Sequence, residues 1–273
     1  MAKRAAVPID LDSLRRFWRE AEIPPERLPY LEFQARRYAN VAELLASAGP
    51  LNDARLLDLG GGVGSLAVAL HGALGGAYDV ADFLLPSPAN QAALVRNGVE
   101  RSFRCDLSAS NPLGGVPDGY SVILLVEVLE HLLVNPLLLV RLIAQHLRPG
   151  GLLLLTTPNV ARLSNRWKLL LGRSIKEPGR YPTEPDRVNG HVIEYTLDEL
   201  DRILEFESFR CLRAQVVQQV PSPRPSGWQR AGVRVLDSRL LRRWRLGDDI
   251  QALYRLLAPE ERSIPATPRP ERF

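Results

Sequence analysis

The segment Leu56–Leu70, LLDLGGGVGSLAVAL, decides how the rest of the chain is read. An apolar run carries one acid, Asp58. Four glycines in five positions follow, Gly60, Gly61, Gly62 and Gly64, and then an apolar stretch with helical spacing. This is the pattern of a strand, a bare turn and a helix. Glycine permits positive φ and lets a ligand press against the backbone. The helix that follows offers free N–H groups and a positive dipole end at the same place. Such a site suits a carboxylate, while Asp58 would hold the turn together or, through water, hold an ammonium. A ligand carrying both an amine and a carboxylate fits better than a pyrophosphate. The segment also has a rival parse: Gly62, Gly64 and Ala67 spell GxGxxA, with Asp82 further on, the dinucleotide fingerprint and its ribose acid. Alone, it does not choose between NAD and another adenosine cofactor.

Outward from this turn the chain alternates. ARLLDLG, AYDVADF, RSFRCD, YSVILLVEV and GLLLLTTP read as strands, and SLAVALHGAL, PANQAALVRNG and NPLLLVRLIAQHLR as helices between them. Apolar strands alternating with helices imply a parallel sheet covered on both faces. Right-handed crossovers make it doubly wound. The expected fold is therefore α/β. Residues 1–50 form an N-terminal helical cap, interrupted at Pro24 and Pro25, with Asp10 or Asp12 as an N-cap. Residues 51–258 form the core. A polar insertion at 159–190 is too long for an ordinary connection and reads as a lid. TLDELDRILEF begins with a capping box, Thr196 and Glu199, and RCLRAQVVQQV reads as a strand. A helical insertion is expected at about 221–246. DDIQALYRLL fits a strand or a helix, and residues 259–273 are expected to be a disordered tail.

The bulk numbers limit the function classes. At 273 residues, 45% hydrophobic and 24% charged, the chain reads as an ordinary globule. No apolar run approaches the ~18 residues of a membrane span. The start, MAKRAAVPIDLDSLRRFW, has no apolar signal core, so a cytoplasmic protein is expected. Cys105 and Cys211 stand far apart, which points to reduced thiols rather than a disulfide or a metal site. The net charge is +4, with 32 Arg against 3 Lys spread through the whole chain. That is not the clustered surface of a nucleic-acid binder, and no nucleic-acid partner is expected. RLLRRWRL, Arg239–Leu246, is the one dense basic patch. It reads first as a solvated helix face, with peripheral contact to a membrane surface or an acidic substrate as the alternative.

DLGGGVG resembles the DxGxGxG motif of class I S-adenosylmethionine (SAM)-dependent methyltransferases at Asp58, Gly60, Gly62 and Gly64. Further segments carry the same resemblance in the same order. Asp82 matches that family's ribose-binding acid. RCDL, Arg104–Leu107, matches the loop whose acid, here Asp106, accepts from the adenine amino group. VEVLEHL, Val126–Leu132, looks like the segment after strand four in the ubiquinone-type branch. LRPGGLLLLTTPN, Leu147–Asn159, resembles the turn into strand five, with Pro149 and Gly150 suited to a type II turn. GHVIEYTLDEL, Gly190–Leu200, is similar to a segment of members acting on sugar and glycan precursors. The resemblance implies a Rossmann-like sheet of seven strands, mostly parallel, with strand seven antiparallel between five and six; DDIQALYRLL would supply that strand. It implies S-adenosyl-L-methionine as cofactor, held by Asp58, Gly60, Gly61, Gly62, Gly64, Asp82, Phe83, Asp106, Leu107, Val126 and Glu127. ARRY, Ala35–Tyr38, is similar to an N-terminal helix that reaches the cofactor's amino-acid end. The second strand departs from the pattern, because FLLP follows Asp82, though Phe83 can still stack near adenine.

Methyl transfer to a hydroxyl needs alignment and a base to take the proton. Two of the four histidines stand at the binding edge. His131 ends VEVLEH and His191 closes the insertion, and an imidazole titrates near physiological pH. Each also has a plain structural reading, as a cap or an anchor. His71 and His146 sit on helices of the sheet layer. Glu127 and Glu130 fall three apart, as if on one helical turn, where both can face the site; Glu127 reads first as bordering the cofactor, and Glu130 has the plain reading of a cap or a pair on the helix. Glu130 with His131 lacks a third ligand at convincing spacing, so no metal is expected. Asp79 and Asp82 point to opposite faces of their strand. The insertion's basic residues suit a phosphorylated, nucleotide-linked or carboxylated acceptor as well as they suit plain solvent exposure. The expected activity is O-methylation of a small molecule or of a glycan or lipid-linked precursor. The rivals are an NAD(P)-dependent oxidoreductase or epimerase and a non-catalytic SAM-binding module. Oligomeric state and the acceptor itself have no signature in the sequence.

Overall fold

The computed structural model describes residues 7–109, 111–176, 191–218 and 244–262. Seven strands form one sheet: β1 Arg55–Leu59, β2 Ala77–Asp82, β3 Val99–Arg104, β4 Tyr120–Val126, β5 Leu147–Pro158, β6 Phe209–Val217 and β7 Asp249–Leu256. Their order is β3-β2-β1-β4-β5-β7-β6. The first five pair in parallel, and β7 runs antiparallel to both β5 and β6. DDIQALYRLL is thus a strand, inserted between five and six as the resemblance implied. Burial on both faces explains why its pattern alternates so poorly: six of its first residues, Asp249 to Tyr254, are all buried.

Side-chain alternation sorts the core into two layers. Leu56, Tyr78, Val80, Val122, Leu124 and Leu154 face one side. There they meet α1 Leu11–Glu20, α2 Leu28–Ala46, α3 Ser65–Leu74 and α4 Pro88–Arg96. Leu57, Leu59, Ile123, Leu125, Leu153 and Leu155 face the other side, against α5 Pro136–His146 and α7 Leu197–Phe206. Each fully buried side chain of this size removes about 1.5–3 kcal/mol worth of apolar surface from water. The helical cap is part of this core. Leu14, Phe17 and Trp18 of α1 are buried, and the Trp18 indole donates to Ser65 Oγ at 2.8 Å.

Helix ends follow the local chemistry. Asp10, not Asp12, caps α1, accepting from the backbone N–H of Asp12 and Ser13. Thr196 and Glu199 form the expected capping box on α7. Pro149 and Gly150 lie inside the bounds of β5, with Gly150 at φ +75°, so the turn is a kink at the strand's start. One expectation is corrected at the C-terminus. Residues 259–262 are not part of a loose tail: Pro259–Glu261 form a 3-10 turn, because Glu261 accepts from Ala258 N–H and pairs with Arg255. The insertion contains α6, Leu163–Leu170. The remainder of the expected lid (177–190), nearly all of the expected helical insertion (219–243) and the rest of the tail (263–273) lie outside the described residues. Neither Cys105 nor Cys211 is in a disulfide. Among the described residues no helix is long and apolar enough to cross a membrane.

Candidate active site

Strand order places the site. The chain runs from β1 outward to β3 and then returns to lay β4 on the other side of β1. The two crossovers diverge between β1 and β4, and open α/β sheets bind ligands at this switch point, beyond the strands' C-terminal ends. A cleft with about 220 Å³ of solvent space opens there. Gly60, Gly61, Gly62 and Val63 line it from the end of β1, and Val126 and Glu127 from the end of β4. Arg27, Tyr30, Gln34, Arg37 and Tyr38 close it from the cap, while Ser65 and Leu66 come from the start of α3.

The glycines are required here by contact as well as by conformation. Gly60, Gly62 and Gly64 all have positive φ. A Cβ on Gly61 would sit 2.7 Å from Asp58 Oδ2 and 2.9 Å from Val80 Cγ1. Gly64 caps α3 with no side-chain hydrogen bond, which leaves the helix's first N–H groups to the cleft. Asp58 is fully buried, and its Oδ2 has no hydrogen-bond partner. Burial, and then the nearby charge of Asp82, push its carboxyl up to about 7. A buried carboxylate oxygen without a partner, beneath a glycine turn, is a group prepared for a cationic ligand. Asp82 ends β2 and accepts from Gly62 N–H at 2.8 Å and Leu84 N–H at 3.2 Å. Each carboxylate oxygen keeps a further lone pair for a ribose hydroxyl. Asp79, on the opposite face, is occupied by Tyr120, Arg55 and Arg101.

Glu127 lines the cleft just after the end of β4. Its φ is +56°, an uncommon conformation for a side-chain-bearing residue and one that clusters at functional sites. It accepts from Thr156 Oγ1 at 2.8 Å and pairs with Arg37 at 2.9 Å. Arg37 also reaches Asp249 at 3.4 Å, so one buried guanidinium ties α2 to the end of β4 and the start of β7. Burial, then the charge of Asp249, raises the Glu127 carboxyl well above the ordinary range.

Glu130 does not share a helical turn with Glu127, as the spacing suggested. Only Leu129–His131 are helical, as a single 3-10 turn. Thr156 holds Glu127 and Thr157 holds Glu130, at 3.0 Å. Adjacent strand residues point to opposite faces, so the two acids are drawn to opposite sides of the sheet. Glu130 is fully buried, burial raises its carboxyl, and its Oε1 lies 3.8 Å from His131 Nε2. His131 and His191 meet edge to face, with ring centroids 5.2 Å apart. His191 Nδ1 lies 2.8 Å from Glu194 Oε1. Ligand-type atoms of Glu130, His131 and His191 all lie within 4.8 Å of one another. The argument that no third ligand stands beside Glu130 and His131 therefore fails in three dimensions, because the chain returns to bring His191 there.

The chain matches the methyltransferase domain family over residues 30–213. It is a class I SAM-dependent methyltransferase of that family. Among relatives, it is 31% identical over 137 residues to the ubiquinone biosynthesis O-methyltransferase of Parvibaculum lavamentivorans, a match covering 50% of this chain and 51% of that one. The chain thus matches about half the length of that relative. Its fold is similar to the magnesium protoporphyrin IX methyltransferase of Synechocystis with bound S-adenosylhomocysteine. That likeness has a TM-score of 0.52 and 16% identity, and covers 90% of this chain and 93% of the other. It is also similar to a SAM-dependent methyltransferase from Mesorhizobium loti, at TM-score 0.51 and 17% identity, covering 78% and 95%.

SAM is the methyltransferase's cofactor, and the residues present fit it: an orphaned acid for an ammonium, bare backbone, free helix N–H groups and a ribose acid. Of the expected cofactor residues, Asp58, Gly60, Gly61, Gly62, Val126 and Glu127 line the cleft itself. Asp82 adjoins it through Gly62. Gly64 acts from behind, where a Cβ would strike Leu94. Phe83 stands exposed on the loop after β2. Asp106 is exposed after β3 and accepts from Ser108 N–H, and Leu107 packs into the second core layer. Sequence reasoning missed Arg27, Tyr30, Gln34 and Ser65. Their one signal was position on the cap and at the first turn of α3. Glu194 as the partner of His191, and Arg162 as the partner of Glu194, were also missed; the E of GHVIEYT was legible only as part of a resemblance.

Proposed function

We propose that this methyltransferase transfers a methyl group to a hydroxyl of a small molecule or of a glycan or lipid-linked precursor, with His131 or His191 as general base. The carrying observation is the pair of imidazoles packed beside Glu130 on the turn that follows β4, where Glu130 and His131 stand three and four residues after Glu127, which lines the cleft. Bound SAM supplies an electrophilic methyl carbon. The chain's own task is to orient the acceptor and to receive its proton. Holding both reactants in near-attack geometry lowers the barrier by roughly 7–11 kcal/mol. A positioned base adds on the order of 10²–10⁴-fold. The printed name of the Parvibaculum relative, an O-methyltransferase, supports a hydroxyl acceptor. Exposed Trp167, Leu169, Leu170 and Leu171 on and just after α6, beside basic Arg166 and Lys168, support an amphiphilic acceptor carrying negative charge. Cysteines held outside any disulfide support a cytoplasmic setting.

Labelled SAM incubated with hydroxyl-bearing acceptors tests this reading. Turnover should fall 10²-fold or more in His131→Ala or His191→Ala, while affinity for S-adenosylhomocysteine persists. Transfer to nitrogen or carbon acceptors alone, or full turnover in both variants, would overturn it.

A further inference from the structure

Glu194 is the third acid near the acceptor edge, and the reading above gives it no role. It lies three residues after His191, which is 2.8 Å away through Nδ1. Its other oxygen, Oε2, receives Arg162 Nη1 at 2.5 Å. Both ends of the short segment between these residues are pinned. Val192 N–H donates to Glu130 C=O at 2.7 Å, and Tyr195 C=O accepts from Val160 N–H at 3.1 Å. The imidazole therefore has a fixed place between Glu194 on one edge and His131 on another.

We propose that Glu194 is a positioning residue that fixes which nitrogen of His191 carries the proton, so that Nε2 keeps its lone pair for the acceptor hydroxyl. This rests on the O-methyltransferase reading. An ionised carboxylate only accepts hydrogen bonds. A neutral imidazole facing it must therefore place its proton on Nδ1 and its lone pair on Nε2. Glu194 is ionised throughout the physiological range: burial alone would push it up, but the hydrogen bonds from His191 and Arg162 prevail and draw it down to about 2. Arg162 takes up part of that negative charge, so Glu194 orients the ring without monopolising it. Nε2 has no hydrogen-bond partner among the described residues.

The step balances as follows. The acceptor's oxygen–methyl bond forms as the methyl–sulfur bond breaks, and that electron pair stays on sulfur. The acceptor's proton moves to Nε2. The resulting imidazolium keeps its Nδ1–H on Glu194 and later loses the Nε2 proton to water.

The test uses the full chain, treated with EDTA and loaded with S-adenosylhomocysteine. Nitrogen-15 spectra of His191 should show the Nδ1–H tautomer in the wild type. Glu194→Ala should revert to the Nε2–H tautomer that an unrestrained imidazole prefers, with Glu194→Gln between them. Carbethoxylation of His191 by diethyl pyrocarbonate, read by mass spectrometry, should occur at Nε2 and slow about tenfold or more in Glu194→Gln, with Glu194→Asp partly restoring it. A bond that merely anchors the segment would lower the melting temperature and leave that reaction rate unchanged. An Nε2–H tautomer in the wild type, or equal rates in wild type and Glu194→Gln, overturns the proposal even if Glu194→Ala fails to fold. Failure of S-adenosylhomocysteine to bind the wild type would sink the functional reading and leave the tautomer result intact.

Discussion

The two sides of the binding edge are built in opposite ways. The cofactor side is made of backbone. Glycines at positive φ, helix N–H groups and acids at the ends of β1 and β2 form it, and its parts lie close together in the chain. The proposed acceptor side is made of side chains that meet from distant segments. Glu130 is held by Thr157, His131 packs on His191, His191 meets Glu194, and Glu194 meets Arg162. Asn159 ties this group to the start of β7 by donating to Arg245 C=O and Gly247 C=O, both at 2.8 Å. A backbone cradle can serve one unchanging ligand, while a side-chain network can be re-aimed by single substitutions.

Four changes would break or sharpen this contrast. The largest effect is expected from Gly61→Val. Its Cβ would meet Asp58 and Val80 below 3.0 Å, so S-adenosylhomocysteine affinity in calorimetry should fall more than about 100-fold. The His191 tautomer should be untouched, and a parallel change there would mean the two sides are not separable. Next, Asn159→Ala removes three side-chain hydrogen bonds, one of them fully buried, and leaves two carbonyls and the Ala161 N–H wanting. Denaturant unfolding should show a loss of about 2 kcal/mol with cofactor affinity within about twofold. Third is pH. Asp58, raised to about 7, is neutral below that value in the free protein, and an ammonium partner favours its charged form. Binding therefore expels a proton. Affinity should rise at most about tenfold per unit up to pH 7 and level off above it. Stability of the free protein moves the other way. An acid whose folded pKa exceeds its unfolded one loses stability as pH climbs from the ordinary carboxylate range to about 7. Calorimetry in buffers of different ionisation enthalpy counts the proton, and a count of zero refutes the assignment. The smallest effect is Thr196→Ala, which removes the α7 cap and should cost about 1 kcal/mol in thermal unfolding without altering cofactor affinity.

This contrast also explains what was legible in the sequence. Asp58, the glycine run and Asp82 could be read because turn chemistry and strand ends are local, and the seven-stranded order followed from the resemblance. The partnership of His191 with Glu130 could not be read, because it depends on where the chain returns after β5. Glu127 and Glu130 misled for a related reason. Spacing of three means a shared face only in a regular helix, and here a residue at positive φ precedes a single 3-10 turn. The cap's contribution was half legible: ARRY pointed to Arg37 and Tyr38, but nothing local links Arg37 to Asp249.

That last ion pair bears on synthesis. Among the described residues β7 is the last strand along the chain, yet it takes a place between two strands made before it. Until it arrives, β6 has no neighbour to bond with and β5 presents an open edge, the kind of exposed template that invites pairing between chains. Arg37, emerging early on α2, waits for Asp249 through most of translation. A nascent chain released before β7 would carry every glycine of the cradle and still lack the second acid that holds Arg37.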